Sequence, residues 1–123
     1  MEFSFSGLKT ALLYRLRDLG GPEAVARDTI DDLSAAFERS VVESLVEKLD
    51  RALHEWPLSE VVVCGGVAAN TLLRRRAEEV VADRARLTIP PPLLCTDNAA
   101  MIAAAAFHVP PGVPVRVDPS LSW

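Results

Sequence analysis

Glu60-Val61-Val62-Val63-Cys64-Gly65-Gly66-Val67-Ala68-Ala69-Asn70 is the stretch on which the architecture turns. Its first five residues are a short run built on three β-branched valines, Val61 to Val63. An uninterrupted apolar run of that length reads as a strand covered on both faces, hence as part of a parallel sheet. Gly65-Gly66 breaks the run, and a helix from Asn70 to about Asp83 follows. In that helix Leu72, Leu73, Ala77 and Val80 point inward, and Arg74, Arg75 and Arg76 largely outward. A strand passing through paired glycines into a helix is a corner of an α/β layer structure.

The pattern continues on both sides. Downstream, Arg86 to Ile89 reads as a second brief strand, and Pro90-Pro91-Pro92 forces an extended connection without backbone donors. Thr96 is placed to cap a last, alanine-rich helix from Asp97 to Phe107, a composition suited to close packing. Prolines dominate the end, so residues 110–123 read as an irregular tail on a folded unit spanning 1–109. Upstream, Pro57 closes a long helix that Asp28 or Thr29 can cap. Its apolar stripe is Ile30, Leu33, Phe37, Val41, Leu45, Leu49, Leu53 and Trp56; Glu38, Arg39, Glu43, Glu47, Lys48 and Asp50 make its wet face. Before it, Ser6 can cap a helix from near Gly7 with the row Leu8, Leu12, Leu16 and Leu19, stopped by Gly20-Gly21-Pro22. Phe3-Ser4-Phe5 alternates as a strand does. Two or three strands are few for such a sheet, so the expectation is an α/β lobe with an incomplete sheet covered by helices.

Composition narrows the class. The chain has 123 residues, half of them hydrophobic, enough for one sizeable core. A net charge of −4 supplies no global basic field; if RNA is a substrate, its electrostatic footprint must lie mainly on another lobe or partner. The longest strictly apolar stretch, Ala99 to Phe107, falls well short of the ~20 residues that cross a bilayer. Met1-Glu2-Phe3-Ser4 lacks the basic flank and apolar core of a signal peptide. Cys64 and Cys95 form no CxxC and neither lies near a histidine at metal spacing, which reads as two buried free thiols of a reducing compartment.

Two corners can carry chemistry. In open α/β sheets ligands bind beyond the carboxyl ends of strands, near helix N-termini. At Gly65-Gly66 the missing Cβ atoms allow close approach of a nucleotide, the following helix offers free N–H groups to phosphate, and Asn70 can donate and accept. The same residues equally satisfy a plain turn, with glycine supplying positive φ and Asn70 capping, and local physics alone favours that reading. At Cys95-Thr96-Asp97-Asn98 the polar pair can be caps. Alternatively Asp97 gives a carboxylate oxygen to a metal while Asn98 orients it or touches substrate. His54 and His108 have no partner ligand at helical spacing. Ser6-Gly7-Leu8-Lys9 has the form of the SxxK of serine acyltransferases, but no KTG follows in place and the chain is too short for that fold.

Three blocks taken together, Phe3 to Ala11, Gly65 to Asn70 and Cys95 to Ala103, resemble the C-terminal part of the tRNA threonylcarbamoyladenosine synthase subunit TsaD, whose family was formerly called O-sialoglycoprotein endopeptidase. The resemblance runs from about Glu2 to Phe107. It implies an RNase H-like lobe of the actin/Hsp70/sugar-kinase type, and one half of a two-lobed cytoplasmic enzyme. It also implies transfer of threonylcarbamoyl from its adenylate to the adenosine beside the tRNA anticodon. By the same resemblance the metal is iron or zinc, held by an HxxxH of the N-terminal lobe and by an aspartate that matches Asp97. Asn70 matches a residue contacting the adenylate or ATP, and Gly65 and Gly66 match glycines beneath the nucleotide. Partners implied are tRNA, the N-terminal lobe and further subunits of the threonylcarbamoyladenosine complex, with no membrane.

This sequence contains no HxxxH, and Met1 precedes a segment that is interior in the family. The expectation is therefore a fragment that neither binds iron or zinc tightly nor transfers threonylcarbamoyl alone, and whose apolar edges favour dimers or soluble aggregates. Two other functions compete. A metalloprotease lacks support, since one carboxylate and no HExxH cannot set up a zinc-activated water. A non-catalytic scaffold relative would be expected to have lost Gly65-Gly66, Asn70 and Thr96-Asp97-Asn98, which are present.

Overall fold

The computed structural model describes residues 5–110. Phe3 and Ser4 of the expected strand and almost all of the proline-rich tail lie outside that range, and Phe5 is in no strand. The order is helix α1 (Ser6–Asp18), helix α2 (Arg27–Glu55), strand β1 (Glu60–Val62), helix α3 (Thr71–Val81), strand β2 (Arg86–Thr88) and helix α4 (Ala99–Ala106). Short 3-10 turns occupy Gly66–Ala69 and Pro92–Leu94.

β1 and β2 pair in parallel, with Val61 opposite Leu87, and α3 is the connection between them. The mixed α/β class and the parallel sheet agree with the sequence. Cover on both faces does not: only Val61 of β1 is buried, and Val62 is 59% exposed. β2 occupies one edge of β1, and among the described residues no strand takes the other. Along α2 and β1 runs an apolar groove of 490 Å³ lined by Leu45, Leu49, Ala52, Val61, Val63 and Leu73, among others.

The core is small and lies between the C-terminal half of α2, α3 and β1. Val42, Val46 and Leu73 are its centre, with Leu45, Val63, Leu72 and Val80 packed around them. Fully burying a side chain of this size stabilises by about 1.5–3 kcal/mol. The buried stripe of α2 is thus set one residue on from Val41 and Leu45, and Ile30 and Trp56 are exposed. Three polar rungs accompany the apolar contact: Glu38 to Asn70, Glu43 to Arg76 and Asp50 to Arg84. The partners ascend together, so α2 and α3 run in the same direction. The face of α2 expected to be wet therefore meets the polar residues of α3. Arg76 is a tether and not an outward arginine, because its guanidinium takes both oxygens of Glu43 at 3.0 and 3.2 Å.

The N-terminal half of α2 pairs with α1 as a helical hairpin. Leu8 and Leu12 face Leu33 and Phe37, and the row Leu8, Leu12, Leu16 and Leu19 is half-buried throughout. α1 ends as the glycines require. Gly20 and Gly21 have φ of +92° and +93°, and their N–H groups donate to the Arg17 and Leu16 carbonyls at 3.0 and 2.9 Å, a Schellman closure. The expected caps of the first two helices differ. Ser6 and Asp28 lie within the first turns of α1 and α2, and the N-cap positions are Phe5 and Ala26, with no side-chain cap at either. Every residue of α4 is exposed, so the close packing its alanines suit is not made against the described residues.

Candidate functional site

The first corner follows β1. Gly65 has φ +89°, a left-handed conformation that other residues rarely adopt, and it turns the chain into the Gly66–Ala69 turn. Gly66 lacks that constraint, and a Cβ added there would meet no atom within 4 Å. The space above the turn is open. Asn70 is the N-cap of α3, where its Oδ1 accepts from the Leu73 amide at 2.9 Å. Its Nδ2 donates to Glu38 Oε1 at 2.7 Å. The cap satisfies one of the orphan donors at the helix start, and the bond to α2 fixes which way the amide faces. One N–H of Asn70 remains beyond these bonds.

The second corner follows β2. The cap of α4 is Asn98 and not Thr96: Asn98 Oδ1 accepts from the Met101 amide at 3.0 Å. Asn98 Nδ2 donates back to the Thr96 carbonyl at 2.9 Å, so its two bonds bracket Asp97. Asp97 lies just outside the helix, is exposed, and joins no hydrogen bond or ion pair among the described residues. Cys95 is buried as expected, whereas Cys64 is exposed, and both thiols are free.

The corners are neighbours. The Gly66–Ala69 turn packs beside the Pro92–Leu94 turn, and Arg74 ties the two segments. Its Nη2 donates to the Pro90 carbonyl at 2.5 Å and to Cys95 Sγ at 3.2 Å. Sequence reasoning sent this arginine outward. The available signal was its place four residues after Asn70, on the same face of α3. Another was a proline run whose carbonyls need donors that the run cannot supply.

No group of three or more His, Cys, Asp or Glu side chains comes together among the described residues. Iron or zinc in such sites takes several protein ligands. Asp97 stands among the described residues as a single exposed carboxylate. His54 is occupied otherwise: its Nδ1 lies 2.8 Å from the Asp50 carbonyl and 3.0 Å from Arg84 Nη2.

Comparison with known proteins settles the family. The profile of TsaD, tRNA N6-adenosine threonylcarbamoyltransferase, matches residues 1–104. The chain belongs to this family. A protein of that name from Dictyoglomus turgidum is 46% identical over 112 residues, 89% of this chain and 32% of the relative. One from Thermodesulfovibrio yellowstonii is 47% identical over 109 residues, covering 88% and 33%. One from Syntrophus aciditrophicus is 48% identical over 110 residues, covering 89% and 32%. The chain thus spans about a third of the length of the curated TsaD relatives it matches. The match takes in both corners, including Gly65, Gly66, Asn70, Asp97 and Asn98.

Proposed function

We propose that this chain is the nucleotide-holding part of an RNase H-like lobe in a two-lobed tRNA-modifying enzyme. That enzyme transfers threonylcarbamoyl from its adenylate to the N6 amine of the adenosine beside the tRNA anticodon. The observation that carries the reading is the adjacency of the two corners, tied by Arg74, inside a family match that covers both. Each corner has a structural duty that uses its asparagine as a cap. Those duties do not use the open space over Gly66, the second N–H of Asn70 or the carboxylate of Asp97, and these are the groups a ligand would meet.

Each has a part to play. The Gly66–Ala69 turn and the start of α3 favour the negative charge of the adenylate phosphate. Asn70 donates to a hydroxyl or base edge. Asp97 would supply one oxygen ligand to iron or zinc, with the remaining ligands coming from outside this chain, and such an ion polarises carbamoyl or phosphate oxygens when bound. The tRNA amine then attacks the carbamoyl carbon directly, adenylate leaves, and no protein nucleophile takes part. With a net charge of −4, this chain leaves most of the tRNA grip to the other lobe or to partner subunits.

The test is a transfer assay. A polypeptide of the relatives' full length carrying this chain is mixed with its complex partners, threonylcarbamoyl-adenylate and tRNA, and threonylcarbamoyladenosine is measured. Formation that Asp97→Ala abolishes supports the reading; a tRNA left unmodified by the assembled complex sinks it. The chain alone should neither transfer the group nor retain iron or zinc above background by elemental analysis.

A further inference from the structure

Three consecutive arginines, Arg74 to Arg76, lie in the first half of α3, and they are used differently. Arg75 and Arg76 each meet a glutamate, at 3.8 Å to Glu79 and 3.0 Å to Glu43. That is the ordinary use of arginine on a helix surface. Arg74 forms no ion pair among the described residues. Its guanidinium instead takes hold of two groups five positions apart in the chain, the Pro90 carbonyl and the Cys95 thiol. Its Nε is buried without a partner among the described residues, so the side chain lies against protein and not in bulk water.

The segment it holds has a particular need. Pro90, Pro91 and Pro92 carry no N–H, so they cannot be stitched to a helix or strand by their own amides. Their carbonyls still require donors. The Leu94 amide serves Pro91 at 2.8 Å and the Cys95 amide serves Pro92 at 3.1 Å, which closes the turn on itself. The Cys95 thiol lies 3.5 Å from the carbonyls of both Pro90 and Pro91. All of these bonds are internal to the turn. Arg74 supplies side-chain hydrogen bonds that leave it for α3, and Asp97 stands two residues beyond Cys95. Both bonds leave one nitrogen, Nη2, whose two N–H groups reach the carbonyl and the sulfur together.

We infer that Arg74 is a positioning residue. It locks the Pro90–Cys95 turn onto the first turn of α3 and so sets the separation between Asn70 and Asp97. The inference rests on the proposed function, in which those residues address one ligand. Asn70 and Arg74 are one helical turn apart, so the same piece of α3 presents the glycine corner and carries the clamp. Losing the guanidinium leaves α3 and its cap in place while freeing the segment that bears Asp97. A displacement of the order of 1 Å at a reacting centre costs about a hundredfold in rate.

The experiment uses the full-length polypeptide carrying this chain, as wild type, Arg74→Met, Arg74→Lys and Cys95→Ser. Amide hydrogen exchange over 93–101 and over 71–81 is followed beside kcat and KM for the adenylate. Arg74→Met should speed exchange over 93–101 about tenfold, as expected for losing hydrogen bonds to a charged group, with 71–81 within about twofold. Its kcat should fall about 10- to 100-fold with KM within about threefold, because Gly65, Gly66 and Asn70 are untouched. Arg74→Lys should fall between, and Cys95→Ser, which keeps an acceptor, should stay within about threefold of wild type. Unchanged exchange over 93–101, equal loosening of α3, or a raised KM at constant kcat would each overturn the inference. A wild-type polypeptide without transfer activity would sink the functional reading and the kinetic half of this one, while exchange decides the clamp by itself.

Discussion

Asn70 and Glu38, 32 positions apart in sequence, are joined by a 2.7 Å hydrogen bond from the amide of one to the carboxylate of the other. The bond crosses from α3 to α2, at the point where α3 begins. Since Asn70 also caps α3, a single side chain starts the helix and docks it. Its orientation is therefore held from two sides before any ligand arrives.

Removing that side chain should cost stability twice. Asn70→Ala loses the cap, worth about 1 kcal/mol, and the tether to Glu38, worth about another 0.5–1.5 kcal/mol. Glu38→Ala should cost the second amount alone. Urea unfolding at neutral pH checks both values. A Glu38→Ala loss equal to that of Asn70→Ala would contradict the division of labour.

The two glycines of the first corner should behave differently. Gly65→Ala forces alanine to φ +89° and should destabilise by roughly 1–3 kcal/mol. Gly66→Ala meets open space and should leave the melting temperature within about 2 °C. It should nevertheless weaken adenine nucleotide binding by the full-length polypeptide about tenfold or more, because the added methyl fills the place of the ligand. Calorimetry on the two variants separates fold from binding. Unchanged nucleotide affinity in Gly66→Ala would remove the ligand from that corner.

Acid should loosen the helix pair. The hydrogen bond from Arg76 holds the Glu43 carboxyl below its ordinary range, and Arg84 does the same for Asp50. Carboxyl groups depressed in the folded state stabilise above the unfolded-state pKa, about 4 to 4.5. That contribution is lost as pH falls through the lower folded values. Thermal melts from pH 7 to pH 3 should show wild type above Glu43→Gln/Asp50→Asn at neutral pH, with the gap closing below about pH 4. A gap that widens on acidification contradicts this pairing.

Strain at the end of α3 offers a stabilising change. Ala82 has φ +35° with ψ −122°, a region glycine visits more readily than alanine. Ala82→Gly should stabilise by about 0.5–2 kcal/mol, the relief of strain less the added freedom of the unfolded chain. A lowered denaturation midpoint would show that the turn at Ala82 is not strained.

Much of this fold was legible in the sequence because periodicity reports burial directly. The leucine row of α1, the glycine stop after it and the cap at Asn70 read correctly from local pattern, and so did a parallel strand at Glu60–Val62, though not its expected cover on both faces. What escaped was relational. α2 carries apolar residues at Val41, Val42, Leu45 and Val46, so periodicity alone could not choose which pair faces α3, and the structure buries Val42 and Val46. Glu38, Glu43 and Asp50 looked wet because their partners lie 32 to 34 residues away. At the site, the glycines, Asn70 and Asp97 were readable as motifs. Thr96 lost the cap to Asn98, two residues later, since either could serve and only the backbone decides. Arg74 was missed because its partner carbonyl lies 16 residues away, and the spacing from Asn70 and the donor-poor proline run only hint at the pairing.

In the proposed function the Gly65-Gly66 and Asp97 corners address one ligand. A crystal structure of the full-length polypeptide bound to adenine nucleotide tests it most directly. Phosphate should lie against the Gly66–Ala69 turn, the free N–H of Asn70 on the nucleotide, and the Asp97 carboxylate should open onto the same cleft. Nucleotide seated elsewhere, with Asp97 turned to a separate surface, would contradict it.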